Sequence, residues 1–84
     1  MALSKEETER VFDLYYNFDK RVKGILELKQ MSPVELADKM DIPRSNIYRF
    51  ISKGRHPDML NLMKMADAFE ISVDELIGLK ELEA

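Results

Sequence analysis

Apolar residues recur along this chain at three- and four-residue steps, with no sustained alternation of period two. Val11, Leu14, Tyr15, Phe18, Val22, Ile25 and Leu26 form one such stripe, and Ser4 with Glu7 opens it as a capping box. This predicts a long or kinked helix from about Lys5 to Lys29. Asn17 and Asp19, which are weak helix formers, mark where it can break. Ser32 with Glu35 is a second capping box, and Pro33 suits the first helical position. Leu36, Ala37 and Met40 give the following short helix its apolar face. Asp41-Ile42-Pro43 interrupts the pattern, because Pro43 cannot continue a helix and restricts Ile42 to extended backbone. A new helix starts at Arg44 with Ile47, Phe50 and Ile51 facing inward, and Gly54 and Pro57 end it. Asp58 caps the next helix, in which Met59, Leu60, Leu62, Met63, Met65, Ala66 and Phe69 read mostly as core. Its methionines read as gap filler. Ser72 with Glu75 is a third capping box, leading to Val73, Leu76, Ile77 and Leu79. The expectation is an all-α fold of five helical segments joined by short connections.

With 84 residues, the chain has room for one small domain, whose core a partner subunit would strengthen. The absence of Cys excludes a disulfide framework, a Cys-based zinc site and thiol catalysis. No apolar run approaches the length of a membrane span, and no signal-peptide pattern opens the chain, so a cytoplasmic protein is expected. The formal net charge of −3 at first argues against nucleic acid. Its distribution reverses that inference. Residues 1–20 carry −2, residues 21–57 carry +4 and residues 58–84 carry −5. Within 42–57 there is no acidic residue, against Arg44, Arg49, Lys53, Arg55 and His56. The field at a binding face follows this local distribution rather than the sum.

The segments 33–40 and 44–52, joined by a tight turn, have the layout of a helix-turn-helix, whose second helix enters the major groove. Judged from the apolar positions, Arg44, Ser45, Tyr48, Arg49 and Ser52 face outward. Arg pairs bidentately with guanine O6 and N7, and Ser meets several base edges. Asn46 stands near the helix start, within reach of a base or a phosphate. Lys53, Arg55 and His56 follow where phosphates would pass, and Tyr48 and Ser52 join them as phosphate candidates. His56 is the one His in the chain, with no partners at metal-ligand spacing and no nucleophile beside it. No phosphate-cradling Gly loop or catalytic triad pattern occurs. The chain therefore reads as a non-enzyme with no metal and no cofactor.

Residues 21–79 resemble the lambda-repressor-like helix-turn-helix family, the phage repressor and Cro or XRE type. The residues that show it are Arg21, Lys23, Lys29, Met31-Ser32, Glu35 through Met40, Ile42 through Ile47, Arg49, Gly54 and Pro57. Leu62 through Ala68 and Ile71 through Leu76 complete the match. The resemblance implies a compact five-helix domain, here with an extended N-terminal helix, that binds operator DNA as a dimer. It assigns base reading to Arg44, Ser45, Asn46 and Arg49. Phosphate contacts fall to Ser32, the start of helix 33–40, Ser52, Lys53 and Arg55. It makes Leu36, Ala37, Ile42, Ile47 and Leu62 core. Three positions depart from the family pattern. Pro33 stands where Gln often touches a phosphate. Pro43 replaces the usual Ser or Thr cap of the reading helix. Lys53 occupies the place of a Gly that here follows as Gly54, so either Lys53 is left-handed or the turn is built differently.

The chain thus divides into an N-terminal helical extension (1–20), a DNA-binding domain (21–79) and a C-terminal tail (80–84). Phe12, Tyr15, Tyr16 and Phe18 gather four aromatics in the extension. They either pack on the domain's own helices or form a homodimer interface, for which Leu79 and Leu82 are further candidates. Adjacent positions put Tyr15 and Tyr16 on different helix faces, so both uses are open. The expected function is a sequence-specific transcriptional regulator, a small repressor or autoregulator binding double-stranded DNA as a homodimer at a palindromic operator. The alternative is a protein-interaction module or antitoxin-type partner on the same fold.

Overall fold

A computed structural model describes residues 2–83 of the chain. Among them the order is α1 (Lys5–Tyr16), α2 (Phe18–Leu28), α3 (Pro33–Met40), a 3-10 turn (Arg44–Asn46), α4 (Ile47–Phe50), α5 (Met59–Phe69) and α6 (Val73–Ile77). The architecture is all-helical. The stripe from Lys5 to Lys29 does not form one helix; it divides at Asn17. The Asn17 side-chain amide donates to the Asp13 carbonyl (2.9 Å) and carboxylate (3.1 Å), which closes α1. The Asn17 backbone sits outside the helical region, at φ −109° and ψ 19°.

The three capping boxes form as the sequence predicts. Ser4, Ser32 and Ser72 each accept the amide of the Glu three residues on, and each Glu reaches back to the cap amide. Asp58 caps α5 by accepting the Asn61 amide at 2.9 Å. The helix ends are less expected. Gln30, Asp41 and Glu70 all take left-handed backbone, with φ of 53°, 54° and 57°. In each case the next amide reaches back over the last turn: Met31 to Leu26, Ile42 to Ala37, and Ile71 to Ala66. Met31, Ile42 and Ile71 then pack against the core. This is the Schellman arrangement, in which the apolar residue after the cap offsets the cost of left-handed backbone.

The core comprises Phe18, Val22, Ile25 and Leu26 of α2, Leu36, Ala37 and Met40 of α3, and Ile47 and Ile51. Met65, Ala66 and Phe69 of α5 and Leu76 of α6 complete it. α3 packs on α5 and α4, while α2 packs on α6 and α1. α5 departs from its expected role, because Met59, Leu60 and Met63 are exposed and α5 turns a different apolar line inward. The steps from Leu62 to Met65, Ala66 and Phe69 keep one face, and three of the seven apolar residues fall off it.

α6 is held by two arginines. Arg21 donates through Nε to the carbonyls of Glu75 (3.0 Å) and Leu76 (3.1 Å), and through Nη2 to Glu75 (2.6 Å). Arg10 donates to the Leu79 carbonyl at 3.2 Å. Both serve a helix C-terminus, where a cation is favoured. The Glu75 carboxylate accepts the Ser72 amide of its capping box and the Glu83 amide. Those bonds, led by the Ser72 amide, hold its carboxyl below the usual carboxylate range. Gly78 closes α6 with φ 94°, and a Cβ there would lie 2.6 Å from Leu14 Cδ2 of α1. Gly78→Ala is therefore expected to destabilise the fold by roughly 1–3 kcal/mol, since it combines left-handed strain with a clash. Urea titration of both proteins checks this. A variant as stable as the parent would show that α1 yields freely at this contact.

Candidate nucleic-acid interface

α3, its left-handed stop at Asp41 and the extended Ile42-Pro43 place the next helical turn across α3. Pro43 has no side-chain oxygen to cap that turn, and none of the described residues replaces it. The first turn accordingly tightens into 3-10 geometry, with Asn46 N–H bonded to the Pro43 carbonyl at 2.9 Å and Ile47 N–H to that of Arg44. The α-helical part, Ile47–Phe50, is a single turn. The reading segment is thus shorter and more tightly wound at its start than the helix 44–52 that the pattern predicts. Ile47 fastens it, since it has no exposed surface, together with the buried Ile51 beyond the helix end.

The opposite face is open. Arg44, Ser45, Tyr48 and Arg49 are exposed and Asn46 is half-buried. Asn46 and Arg49 line a polar depression with Arg55, His56, Asp58 and Asn61. Arg44 is not free: its Nε and Nη2 each lie 3.1 Å from an Asp38 carboxylate oxygen. Asp38 belongs to the Glu35–Met40 stretch of the sequence pattern, where nothing marked it as a partner of Arg44.

The candidate phosphate residues fall into two groups. Lys53 and Arg55 are exposed in the turn after α4, and Gly54 supplies the left-handed step there at φ 80°, so the turn is built without strain at Lys53. Ser52 is exposed and its hydroxyl donates to the Tyr48 carbonyl. Ser32 accepts the Glu35 amide at 3.1 Å, which leaves its hydroxyl proton available to an outside acceptor. His56 is placed differently. Its ring stacks on Tyr15 at 3.8 Å between centroids, and Nε2 lies 2.6 Å from the Tyr15 carbonyl oxygen. It joins the end of the reading loop to α1. This role has no local sequence signal, since the two residues are 41 positions apart.

The basic surface is smaller than the segment charge suggests. Arg21 is committed to α6, and Arg44 is neutralised locally by Asp38. Arg49, Lys53 and Arg55 are exposed cations within the reading segment and the turn after it, with no salt bridge to another described residue.

The dimer candidates also separate. α1 buries none of its residues, and Phe12, Tyr15 and Tyr16 are 55%, 52% and 62% exposed. Of the four aromatics, Phe18 enters the core. The rings of Tyr15 and Tyr16 meet edge to face at 5.3 Å, and Phe12 stacks on Tyr16 at 6.2 Å. Adjacent positions thus contribute to one aromatic surface, because long side chains lean together across the helix. Leu79 is exposed, whereas Leu82 packs partly against the core. An apolar groove of about 240 Å³ runs between α1 and the α5–α6 side, lined by Val11, Leu14, Phe18, Leu62, Ile77 and Leu79 among others. None of the helices among the described residues is long and apolar enough to cross a membrane.

Comparison with known proteins agrees with this geometry. The family described as Helix-turn-helix matches residues 22–76. A stretch of 44 residues, 52% of the chain, is 43% identical to the cryptic phage CTXphi transcriptional repressor RstR of Vibrio cholerae serotype O1. That stretch spans 39% of the repressor's own length. No solved structure matches the chain. With α3 and α4 crossing through a tight turn inside a bundle of the expected helices, and with the family match covering both, this chain belongs to the lambda-repressor-like helix-turn-helix family.

Proposed function

We propose that the chain is a sequence-specific regulator of transcription that binds double-stranded DNA, a small repressor acting as a homodimer at a palindromic operator. The observation that supports this best is the two-sidedness of the reading segment. Ile47 is sealed in the core, while Arg44, Ser45, Tyr48 and Arg49 stand exposed on the other side, in a stretch with no acidic residue. Those groups match base edges and phosphates in type. The family match and the likeness to a phage repressor favour the same reading. A homodimer suits the exposed aromatic face of α1 with Leu79, since aromatic residues are enriched at interface cores. The same face favours the second reading, in which α1 docks a different protein and the chain acts as an antitoxin-type partner.

Selection of bound sequences from a random DNA library tests the proposal. The expected product is a two-fold symmetric site with half-sites about 34 Å apart, one helical turn. Affinity for that site is expected to fall with salt at a slope near −0.9 per neutralised phosphate. Enrichment of no sequence, with weak binding confined to low salt, would sink the regulator reading. A single unpaired half-site would leave DNA reading intact and remove the dimer.

A further inference from the structure

Asp38 and Arg44 lie on the two elements of the helix-turn-helix, one on α3 and one on the turn that opens the reading segment. Two parallel bonds join them, Nε to Oδ1 and Nη2 to Oδ2, each 3.1 Å. Their side chains are 52% and 67% exposed, so as a contribution to folding this pair is small. Its geometry is more informative. A guanidinium has five N–H groups in a fixed fork. Asp38 takes the Nε–H and one Nη2–H, along the side edge. The two N–H groups of Nη1 and the second of Nη2 remain, and among the described residues none of them has a partner. Nη1 and Nη2 together form a second parallel pair of donors at the tip of the side chain. That pair matches the O6 and N7 acceptors of guanine.

We propose that Asp38 is a positioning residue that fixes Arg44 for end-on reading of a guanine, and so sets specificity at one base pair. This rests on the DNA-reading function proposed above. The frame behind the pair is rigid, because Leu36 and Ala37 of α3 and Ile47 of α4 have no exposed surface. The pair therefore biases Arg44 toward this one orientation before DNA arrives, which favours the site it fits over sites it does not. The Asp38 charge acts in the same direction, since it offsets one cation beside the phosphates and lowers attraction to DNA of any sequence. Asp38 touches no base in this arrangement and works through Arg44.

The test measures affinity for the selected site, for its variants at the base pair where Arg44→Ala loses discrimination, and for random DNA at one salt concentration. The proteins are the parent, Asp38→Asn, Arg44→Ala, Arg44→Lys and the Asp38→Asn/Arg44→Lys double variant, each checked for an unchanged thermal melt. Asp38→Asn is expected to lower discrimination at that one base pair by about three- to tenfold, a part of what one bidentate pair supplies. Discrimination elsewhere should hold, and affinity for random DNA should stay level or rise. Lysine presents no fork, so in the Arg44→Lys background Asp38→Asn should change discrimination no further. Any of several results would overturn the assignment. One is unchanged discrimination in Asp38→Asn. Another is a gain for all sequences alike, which would make Asp38 a mask over Arg44. The third is a full effect in the Arg44→Lys background. Arg44→Ala that relaxes no position overturns it as well, by removing Arg44 from the base readers. A parent protein that selects no sequence instead overturns the DNA-reading function and takes this assignment with it.

Discussion

Ile47→Ala is expected to cost about 2–5 kcal/mol of stability, with loss of DNA binding at temperatures where the parent still binds. Ile47 has no exposed surface and is the buried residue of a helix only four residues long. One turn of α-helix has no standing stability, since nucleation is unfavourable and longer isolated helices are already marginal. The position of the reading segment therefore depends on this side chain filling its place beside α3. An 84-residue domain has a total stability of roughly 4–13 kcal/mol, so the loss is a large fraction of it. The melting temperature should drop by about 10 °C or more. A melt within a few degrees of the parent would show that Ile51 and the 3-10 turn hold the segment without Ile47.

Arg49→Ala is expected to leave the melt unchanged and to weaken binding to the selected site by about 1–3 kcal/mol, roughly 5- to 150-fold. Arg49 is exposed on α4, and no salt bridge ties it to another described residue. Its removal creates no cavity and exposes no buried polar group, so the fold has little to lose. Base preference should relax at one position, while random DNA loses only one phosphate-attracting charge. Lys53→Ala is the contrast: it should weaken all sequences about equally and reduce the salt slope by about 1. Equal losses on selected and random DNA for Arg49→Ala would move Arg49 from base reading to backbone contact.

These two residues also show how much was legible beforehand. The inward position of Ile47 and the outward position of Arg49 both follow from helical spacing around Pro43. The capping boxes at Ser4, Ser32 and Ser72 were legible for the same reason, because their partners lie three residues apart. The left-handed stops at Gln30, Asp41 and Glu70 were not, since no Gly or Asn marks them. The usable signal was the apolar Met31, Ile42 or Ile71 directly after each one. α5 is so rich in apolar residues that its spacing satisfies several helical faces at once, although Met59, Leu60 and Met63 are exposed. Which face turns inward depends on where α3 and α6 lie.

The sequence by itself determined the helices, their caps and the helix-turn-helix unit, along with a basic stretch hidden inside an acidic total. All of these are set by interactions within a few residues or by the count of charges along the chain. The tertiary structure decided which charges are free. Arg21 looks like part of the basic surface until α6, 54 residues away, takes it as a C-terminal cap. His56 carries no local sign of its stack on Tyr15, 41 residues away. Arg44 looks like a free reader until Asp38 is seen to hold one edge of its guanidinium. Such pairings depend on distances between elements that packing sets, and local spacing is silent on them.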